Sequence, residues 1–316
     1  ISYTWDFGDG TPPVTESDPI TTHVYSSSGT FTVTLNVTDS ENKWDIESKP
    51  ISIEIPKYYL TVKTDPEGII TIPGEDWYNE FTTVNLTAPL YVPISTTVRY
   101  RFENWDIDDM SQGSGVNEIT VYMDDNHTAT AHFVLQYKVI FNHTELSSDA
   151  NGTVVTVDSE SKIFDDLPFH KWVDTGTIVT YSYSSIVSST ISGKRYRLNS
   201  VTGPTSPINV SGSTTVTGNY IIQYFITFDQ TGVGTDFTGT VVTVDTIGYN
   251  RNGASFWWDV DSDHDFSFAS PLIVSPTKQY VWVYTSGLST LQSGTLMVTT
   301  SGNVTGNYAS QQRYYV

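Results

Sequence analysis

The 316-residue chain contains no cysteine, which excludes disulfides and thiolate metal sites and leaves the redox compartment open. Basic residues are also scarce, with 15 lysines and arginines against 35 aspartates and glutamates and a net charge of -20. The sequence has no run of basic residues, so nucleic acid and anionic membranes are not expected as partners. It shows no recognisable signal peptide, transmembrane run or lipidation motif.

Signatures of catalysis are missing as well. The chain has no His-Glu-x-x-His, no P-loop and no Gly-x-Ser-x-Gly, and its nearest approach, at residues 287–291, lacks the second glycine that a nucleophile elbow needs. The histidines are scattered along the chain, which favours structural roles over a catalytic centre. We therefore predict no catalytic residue and no enzymatic activity. The six histidines are His23, His127, His132, His143, His170 and His264.

Helical periodicity is the third absence. No window of a dozen residues sustains a 3.6-residue period, whereas residues 116–123 and 128–133 alternate with period two. Hydrophobic content is 38%, and turn residues are plentiful. This mixture is typical of thin antiparallel sandwiches. The predicted fold class is all-β, with tandem Ig-like β-sandwich domains in a rod-like array.

What the chain does have is repetition. The heptapeptide Gly-Thr-Val-Val-Thr-Val-Asp occurs at residues 152–158 and 239–245, and Val-Thr-Gly-Asn-Tyr comes after each copy, at 216–220 and 304–308. Two units of nearly equal length are therefore expected, each a small β unit within an array. The alternation predicts one strand face with Thr153, Val155 and Val157, and an opposite face with Val154, Thr156 and Asp158.

The opening of the chain carries Trp-Asp-Phe-Gly-Asp-Gly at residues 5–10, His-Val-Tyr at 23–25 and an alternating stretch at 32–39. Over about residues 1–55 these pieces resemble the PKD domain, which implies an Ig-like sandwich. The resemblance also implies that the first strands of that domain precede Ile1. We expect Trp5 and Phe7 to face the core, and residues 8–10 to form a tight turn.

Residues 57–134 open with Tyr-x-Leu-Thr-Val and close on the alternating strand Ala-Thr-Ala-His-Phe, with a Phe-x-x-Trp pair at 102–105. This pattern is similar to the divergent B-repeat of an internalin. The two closely similar units after residue 135 resemble repeats of large archaeal surface proteins. The predicted organisation is a PKD-like domain at 1–56, a divergent β-repeat at 57–135, β-sandwich repeats at 136–222 and 223–309, and a further strand at 310–316.

The joints between these units are short and aromatic, which predicts a stiff array with little hinge freedom. The tail Arg313, Tyr314, Tyr315 and Val316 copies the opening pattern of residues 57–60. Two interpretations stay open for it. The tail is the first strand of a further domain in a longer polypeptide, or a strand donated to a neighbouring subunit.

Asn-x-Ser/Thr sequons occur more often than chance predicts, and several lie in alternating strands. An outward asparagine in such a strand could carry a glycan, and a surface rich in Ser and Thr gains solubility from one. The alternative is that they are ordinary polar strand residues. The predicted N-linked glycan sites are Asn36, Asn85, Asn126, Asn142, Asn151, Asn209 and Asn303.

The four acidic residues Asp259, Asp261, Asp263 and Asp265 stand at alternate positions. In an extended strand they would share one face, where an oxygen-seeking cation such as calcium could relieve their repulsion. The EF-hand pattern fails here, so an exposed loop is the competing interpretation. The neighbouring pair of tryptophans offers Trp257 as the best candidate for a sugar-binding platform, although core anchoring is the expected role of tryptophans in such sandwiches.

Together these patterns predict a structural segment of a large, extracellular or cell-surface protein, archaeal in character, that self-assembles in a surface layer, sheath or filament. The expected partners are copies of itself or neighbouring surface proteins, with no membrane contact within the segment. No cofactor is required, although calcium and N-linked glycans are candidates. Two alternatives are an adhesin or carbohydrate-binding stalk, and a non-catalytic spacer of a secreted hydrolase.

Overall fold

The protein is built from β-strands throughout residues 1–312, the part of the chain that the structure, a computed structural model, describes. Its one helical element in that part is a single 3-10 turn at Phe164–Asp166, so the predicted all-β class is confirmed. Among these residues there is no helix with the length and apolarity needed to cross a membrane. The described chain divides into two compact units, residues 1–94 with 99–134, and residues 95–98 with residue 135 onward.

The first unit opens with a four-stranded antiparallel sheet. Its strands are β1 (Ser2–Asp6), β2 (Val14–Glu16), β3 (Gly29–Thr38) and β4 (Trp44–Ile53). Their order across the sheet is β2-β1-β3-β4. Strand β3 is the long central element, and each of its residues is paired with one of β4.

The motif at residues 5–10 shapes the end of β1. Phe7 is 6% exposed and stacks on the His23 ring at a centroid distance of 3.9 Å. His23 Nε2 in turn lies 2.7 Å from Asp9 Oδ2. Gly8 has a φ of +72°, and a Cβ there would lie 2.5 Å from the Thr32 carbonyl oxygen, so the turn needs glycine. The expected turn is present and Phe7 is buried, but Trp5 is only half-buried.

The rest of the first unit has a core built around Leu60, Phe102, Trp105 and Met123, all of which are buried. The strands are β5 (Lys57–Asp65), β6 (Asp76–Asn79), β7 (Thr83–Thr87), β8 (Tyr91–Pro93), β9 (Val98–Ile107), β10 (Met110–Ser114), β11 (Glu118–Tyr122) and β12 (His127–Thr144). The first strand of this region, β5, pairs with β6 on one side and in parallel with the beginning of β12 on the other.

The second unit contains the two sister repeats, each with its own core. The further strands are β13 (Ala150–Asn151), β14 (Val155–Val157), β15 (Glu160–Lys162), β16 (Phe169–Asp174), β17 (Ile178–Val179), β18 (Tyr181–Tyr183), β19 (Ile186–Ser189), β20 (Lys194–Thr202), β21 (Ile208–Asn209), β22 (Thr214–Thr231), β23 (Val242–Val244), β24 (Ile247–Tyr249), β25 (Ala254–Asp259), β26 (Asp263–Phe268), β27 (Leu272–Ser275), β28 (Lys278–Gly287), β29 (Ser293–Met297) and β30 (Gly302–Gln312). Strand β22 belongs to both repeats.

The same strand pairing recurs in all three β-repeats. In each, the last strand lies parallel to the first, and another strand of the same repeat lies antiparallel to the first on its other side. The parallel ladders are β5 with β12, β12 with β22, and β22 with β30, and the antiparallel partners of the first strands are β6, β16 and β25. Residues 57–134 therefore share the pairings of the first strand with the sister repeats, which the divergent sequence did not reveal.

The shared heptapeptide forms a hairpin. Asp158 and Ser159 both have positive φ, 46° and 71°, and form a two-residue turn between β14 and β15. Two positive φ values are typical of the type I′ turn that matches strand twist. The carboxylate of Asp158 accepts a hydrogen bond from the Thr180 backbone N–H at 2.7 Å. The predicted strict alternation is wrong at its start, because β14 begins only at Val155 and both Val154 and Val155 are buried.

The shared pentapeptide packs each repeat's last strand. Gly218 lies under the Tyr183 ring, and a Cβ on Gly218 would come within 2.5 Å of that ring. Tyr220 is buried, and its hydroxyl donates to the Ser184 carbonyl at 2.9 Å. The second repeat keeps the arrangement with Gly306 under the ring of Phe268. Valine and tyrosine fill the core, while glycine leaves room for an aromatic ring.

We predict that Gly218→Ala destabilises the second unit by about 1–3 kcal/mol, because the added methyl group overpacks the contact with Tyr183. Gly212→Ala is the matched control, because a Cβ at Gly212 meets nothing within 4 Å. Chemical denaturation of the two variants measures the difference. Equal stabilities for the two variants would show that the ring does not need the glycine.

Candidate functional site

The histidines mostly bind carboxylates. His132 lies between Asp65 and Asp106, with each ring nitrogen 3.0 Å from a carboxylate oxygen. His264 Nδ1 lies 2.6 Å from Asp245 Oδ2, and its ring stacks on Trp258 at 3.6 Å. These pairs lie in separate repeats and each joins neighbouring strands or turns, which is the behaviour of structural groups.

His127 also lies between two carboxylates, at shorter distances than His132. Its Nδ1 lies 2.6 Å from Asp108 Oδ2 and its Nε2 lies 2.9 Å from Asp124 Oδ1. Two acceptor partners require both ring nitrogens to carry a proton. Burial by itself would lower the pKa of His127, but the two carboxylates outweigh it and hold the pKa above its usual 6.5.

The predicted glycan sites differ in exposure. Asn36 and Asn142 are half-buried, while Asn85, Asn126, Asn151, Asn209 and Asn303 are exposed. The Oδ1 atom of Asn85 accepts a hydrogen bond from Thr120 at 2.8 Å, and that of Asn126 accepts one from the Tyr59 backbone at 2.6 Å. A hydrogen bond accepted by Oδ1 fixes the orientation of the side-chain amide and does not involve its Nδ2 atom. Glycosylation of these residues stays a prediction. Their exposure favours the five exposed asparagines over the half-buried Asn36 and Asn142.

Of the two interpretations of the acidic stretch, the extended strand with one acidic face is wrong. Strand β25 ends at Asp259 and β26 begins at Asp263, with Asp261 in a turn at a φ of 60°. The chain reverses direction there, so the carboxylates of Asp259, Asp261, Asp263 and Asp265 do not line one extended strand. Residues 1–312 contain no group of three or more His, Cys, Asp or Glu side chains placed to hold a metal ion. Calcium binding by this segment stays a prediction, and these residues form no preformed set of metal ligands in the described part of the chain.

Two further predictions concern the tail and Trp257. The proposed donor strand Arg313, Tyr314, Tyr315 and Val316 lies outside the described residues. Trp257 is half-buried, with the Arg195 guanidinium 4.3 Å from its ring centre and Phe225 at 5.1 Å. Its ring is therefore covered by a cation and offers little open face for a sugar.

The best candidate for a functional site is the joint between the sister repeats. Strand β22 runs without a break through it, and one face of the strand passes from the first core to the second. Tyr220 and Ile222 pack in the core of the first repeat, whereas Tyr224 and Ile226 pack in that of the second. No linker separates the two cores.

The opposite face of β22 carries a polar row at the joint. Gln223 is 6% exposed and bonds in both directions along the row. Its Oε1 accepts from Arg195 Nε at 2.8 Å, and its Nε2 donates to Asp259 Oδ1 at 2.8 Å. Arg195 belongs to β20 of the first repeat and Asp259 to β25 of the second. The buried amide therefore ties three adjacent strands from two repeats.

An ion pair between Arg197 and Asp259 continues the polar row. Arg197 donates to both oxygens of Asp259, from Nη2 at 2.7 Å and from Nε at 3.2 Å. The hydrogen bonds from Arg197 lower the pKa of Asp259 below 3.8, although partial burial opposes them. A two-pronged contact fixes direction as well as distance, so it restrains rotation of one repeat against the other.

Backbone contacts reinforce the joint. The Phe225 N–H donates to the Gly193 carbonyl at 2.8 Å. Gly193 has a φ of +71°, and a Cβ there would lie 2.6 Å from the Ser301 Cβ. Glycine therefore serves both the turn and the close approach of the two repeats.

Sequence reasoning missed this joint, although a signal was present. Glutamine occupies the same place in three strands, at Gln136, Gln223 and Gln311, and Arg-Tyr-Arg occurs at residues 99–101 and 195–197. Gln136 is also 6% exposed, and its Nε2 donates to Asp174 Oδ1 at 2.7 Å. Asp259 is thus the counterpart of Asp174, a joint residue present in both repeats.

We predict that Asp259→Asn lowers the free energy of unfolding of the second unit by about 1 kcal/mol at pH 7, because it removes the ion pair with Arg197. The loss is small because solvent screens a pair that is partly exposed. The folded-state pKa of Asp259 is lowered, so its contribution is present above the usual value of 3.8 and is lost as the pH falls through the lowered value. Denaturation curves at several pH values measure this. Asp263→Asn, on an exposed strand residue, is the control that should change little.

We also predict that the stabilising effect of His127 has the opposite pH dependence. Its folded-state pKa is raised above 6.5, so the contribution is complete below that value and is lost as the pH rises through the higher one. The stability difference between the natural chain and His127→Gln should shrink with rising pH. The exposed His170→Gln serves as control, and a pH-independent difference at His127 would contradict the assignment.

Comparison with known proteins finds relatives for one part of the chain. Collagenase ColA from Bacillus cereus is 49% identical over 67 residues, which are 21% of this chain and 6% of that protein. Polycystin-1 from Homo sapiens is 50% identical over 40 residues, 13% of this chain and 1% of that protein. The chain thus spans only a small fraction of the length of these relatives.

Among solved structures, the pilus adhesin SpaC from Lactobacillus rhamnosus GG aligns over 92% of this chain and 48% of its own, at 9% identity and a TM-score of 0.20. A likeness at that score supports no argument. The family comparison does, because residues 1–45 match the PKD domain family. The resemblance drawn from the motif at residues 5–10 is thereby confirmed for the beginning of the chain.

Proposed function

We propose that the chain is a structural segment of a larger extracellular or cell-surface protein, in which tandem β-repeats hold other parts at a set spacing. The observation that carries this proposal is the unbroken strand β22, which is the last strand of one repeat and the first of the next. A strand hydrogen-bonded on both sides to strands of two repeats within one sheet cannot bend as a linker does. The polar row at Gln223 then restrains twisting about that strand.

The PKD match at the beginning of the chain supports an extracellular structural or adhesive role. The finer part of the proposal is self-assembly with copies of the same chain or neighbouring surface proteins, in a surface layer, sheath or filament. Its support is the residue patterns that resemble the internalin B-repeat and the repeats of archaeal surface proteins. The strongly acidic composition is compatible with an exposed extracellular surface.

A second candidate function is a non-catalytic spacer of a secreted hydrolase. The observation that favours it is the stretch of 67 residues shared with a collagenase. Both candidates use the same rigid joint, and they differ in what the repeats connect. Reading the genomic sequence on either side of this segment separates them, since the spacer requires a catalytic domain in the same polypeptide.

We predict that the two sister repeats keep one narrow range of separations in solution. The absence of cysteine allows clean pairwise labelling, so spin labels at Ser161→Cys and Ser267→Cys, both exposed, report the distance between repeats. The pair Ser161→Cys with Ser188→Cys reports a distance inside one repeat and is the control. The interrepeat distribution should be about as narrow as the control, and adding Asp259→Asn should broaden it.

A broad interrepeat distribution in the natural sequence would refute the spacing function. Sedimentation and electron microscopy of the same chain test self-assembly separately. Regular polymers with a repeating contact larger than about 1,000 Å² support it. A strictly monomeric chain at all concentrations would remove self-assembly and leave the spacer as the better proposal.

A further inference from the structure

Each β-repeat places a tryptophan at the same point of its outer sheet face. The tryptophan stands on the strand that pairs antiparallel with the first strand, directly opposite a residue of the first strand that points away from the core. The three pairs are Trp77 with Tyr59, Trp172 with Lys138, and Trp257 with Phe225.

The surroundings of these tryptophans differ. Arg195 covers Trp257 at 4.3 Å, and the amine of Lys138 lies 5.9 Å from the centre of the Trp172 ring. Trp77 is 58% exposed, although it contacts the Tyr59 ring at 5.3 Å. An aromatic pair is thus presented to solvent at a place where the sister repeats have a cation beside the tryptophan.

The Tyr59 ring is held in place. Its hydroxyl donates to Glu75 Oε1 at 2.8 Å, and Glu75 Oε2 accepts from the Val62 backbone at 3.2 Å. Leu60, the next residue, is fully buried, so Tyr59 points outward from the sheet. Little rotamer freedom remains to be lost when a ligand packs on this ring.

Asn126 lies on the other side of Tyr59 from Trp77. It immediately precedes the parallel ladder that begins with His127 opposite Leu60, so it stands beside Tyr59. Its Oδ1 accepts from the Tyr59 N–H at 2.6 Å, which leaves its Nδ2 directed elsewhere. Asn126 opens the sequon Asn-His-Thr. The residues at this place in the sister repeats are Ser213 and Ser301, which cannot accept an N-linked glycan.

We propose that Asn126 carries an N-linked glycan whose first sugars lie on the rings of Tyr59 and Trp77. Adjacent strands are about 4.8 Å apart, so the first sugar reaches Tyr59 and the next reaches Trp77. The apolar C–H face of a pyranose ring packs on an aromatic face, and the glycan covers Trp77 as Arg195 covers Trp257. The proposal rests on the extracellular location in the proposed function.

The modification needs an oligosaccharide donor linked to a lipid through phosphate. The Asn126 Nδ2 forms a bond to the anomeric carbon of the sugar, and the bond from that carbon to the phosphate oxygen breaks. The lipid phosphate leaves with the electron pair, and the amide nitrogen loses one proton. Thr128 completes the sequon and lies in β12, two residues beyond Asn126.

The test uses the full chain secreted from cells that perform N-glycosylation. Mass spectrometry first measures the occupancy of Asn126, and hydroxyl-radical labelling then measures the oxidation of Trp77 before and after enzymatic removal of glycans. We expect Asn126 to be occupied and Trp77 to oxidise about threefold more slowly with the glycan present, because most of its exposed ring is covered. Trp44, which is 67% exposed, and Trp257 should not change.

Two variants separate the glycan from the side chains. Thr128→Val destroys the sequon and keeps a β-branched residue, so it should oxidise at Trp77 like the deglycosylated chain. Thr128→Ser retains the sequon and should behave like the natural chain. The proposal is overturned if Asn126 is empty in the secreted chain, or if glycan removal leaves Trp77 oxidation unchanged. Neither result alters the interrepeat distances at β22, so this failure is distinct from failure of the spacing function.

Discussion

In each sister repeat, six residue pairs join the first strand to the last in a parallel ladder. The last strand of the first sister repeat, β22, continues without interruption as the first strand of the second. This pairing places the last strand of a repeat beside its first and also fixes the direction in which the chain leaves the repeat. The core of the first sister repeat and the polar row at Gln223 both include residues of the strands that this ladder joins. A repeat whose ladder failed would lose its own sheet and the joint to its neighbour.

The sequence predicted the features that local chemistry decides. The alternation of residues predicted an all-β fold, and the repeated phrases predicted units whose valines and tyrosines are indeed buried at Val155 and Tyr220. It did not reveal why Gly218 recurs, because the ring above it belongs to Tyr183, a residue distant in the chain. The sequence left two interpretations of the acidic stretch open for a similar reason. Alternate spacing implies one face only if the strand continues, and it ends at Asp259.

The joint was the hardest feature to predict, because its residues come from three strands. A buried glutamine is informative only once both neighbours are known, since an amide can donate on one side and accept on the other. Gln223 does both, to Arg195 and Asp259. The repeated glutamines could have marked the position, but the partners required the strand register. Tertiary context thus turned an ordinary polar strand residue into the link between two repeats.

The parallel arrangement of first and last strands also determines how a repeat responds to tension. The chain enters a repeat at the beginning of its first strand and leaves at the end of its last strand, and the two lie side by side in the same direction. A pull on both ends therefore loads the ladder in shear, so the hydrogen bonds must break together and not one after another as in a zipper. Such a repeat resists extension when both of its ends are pulled.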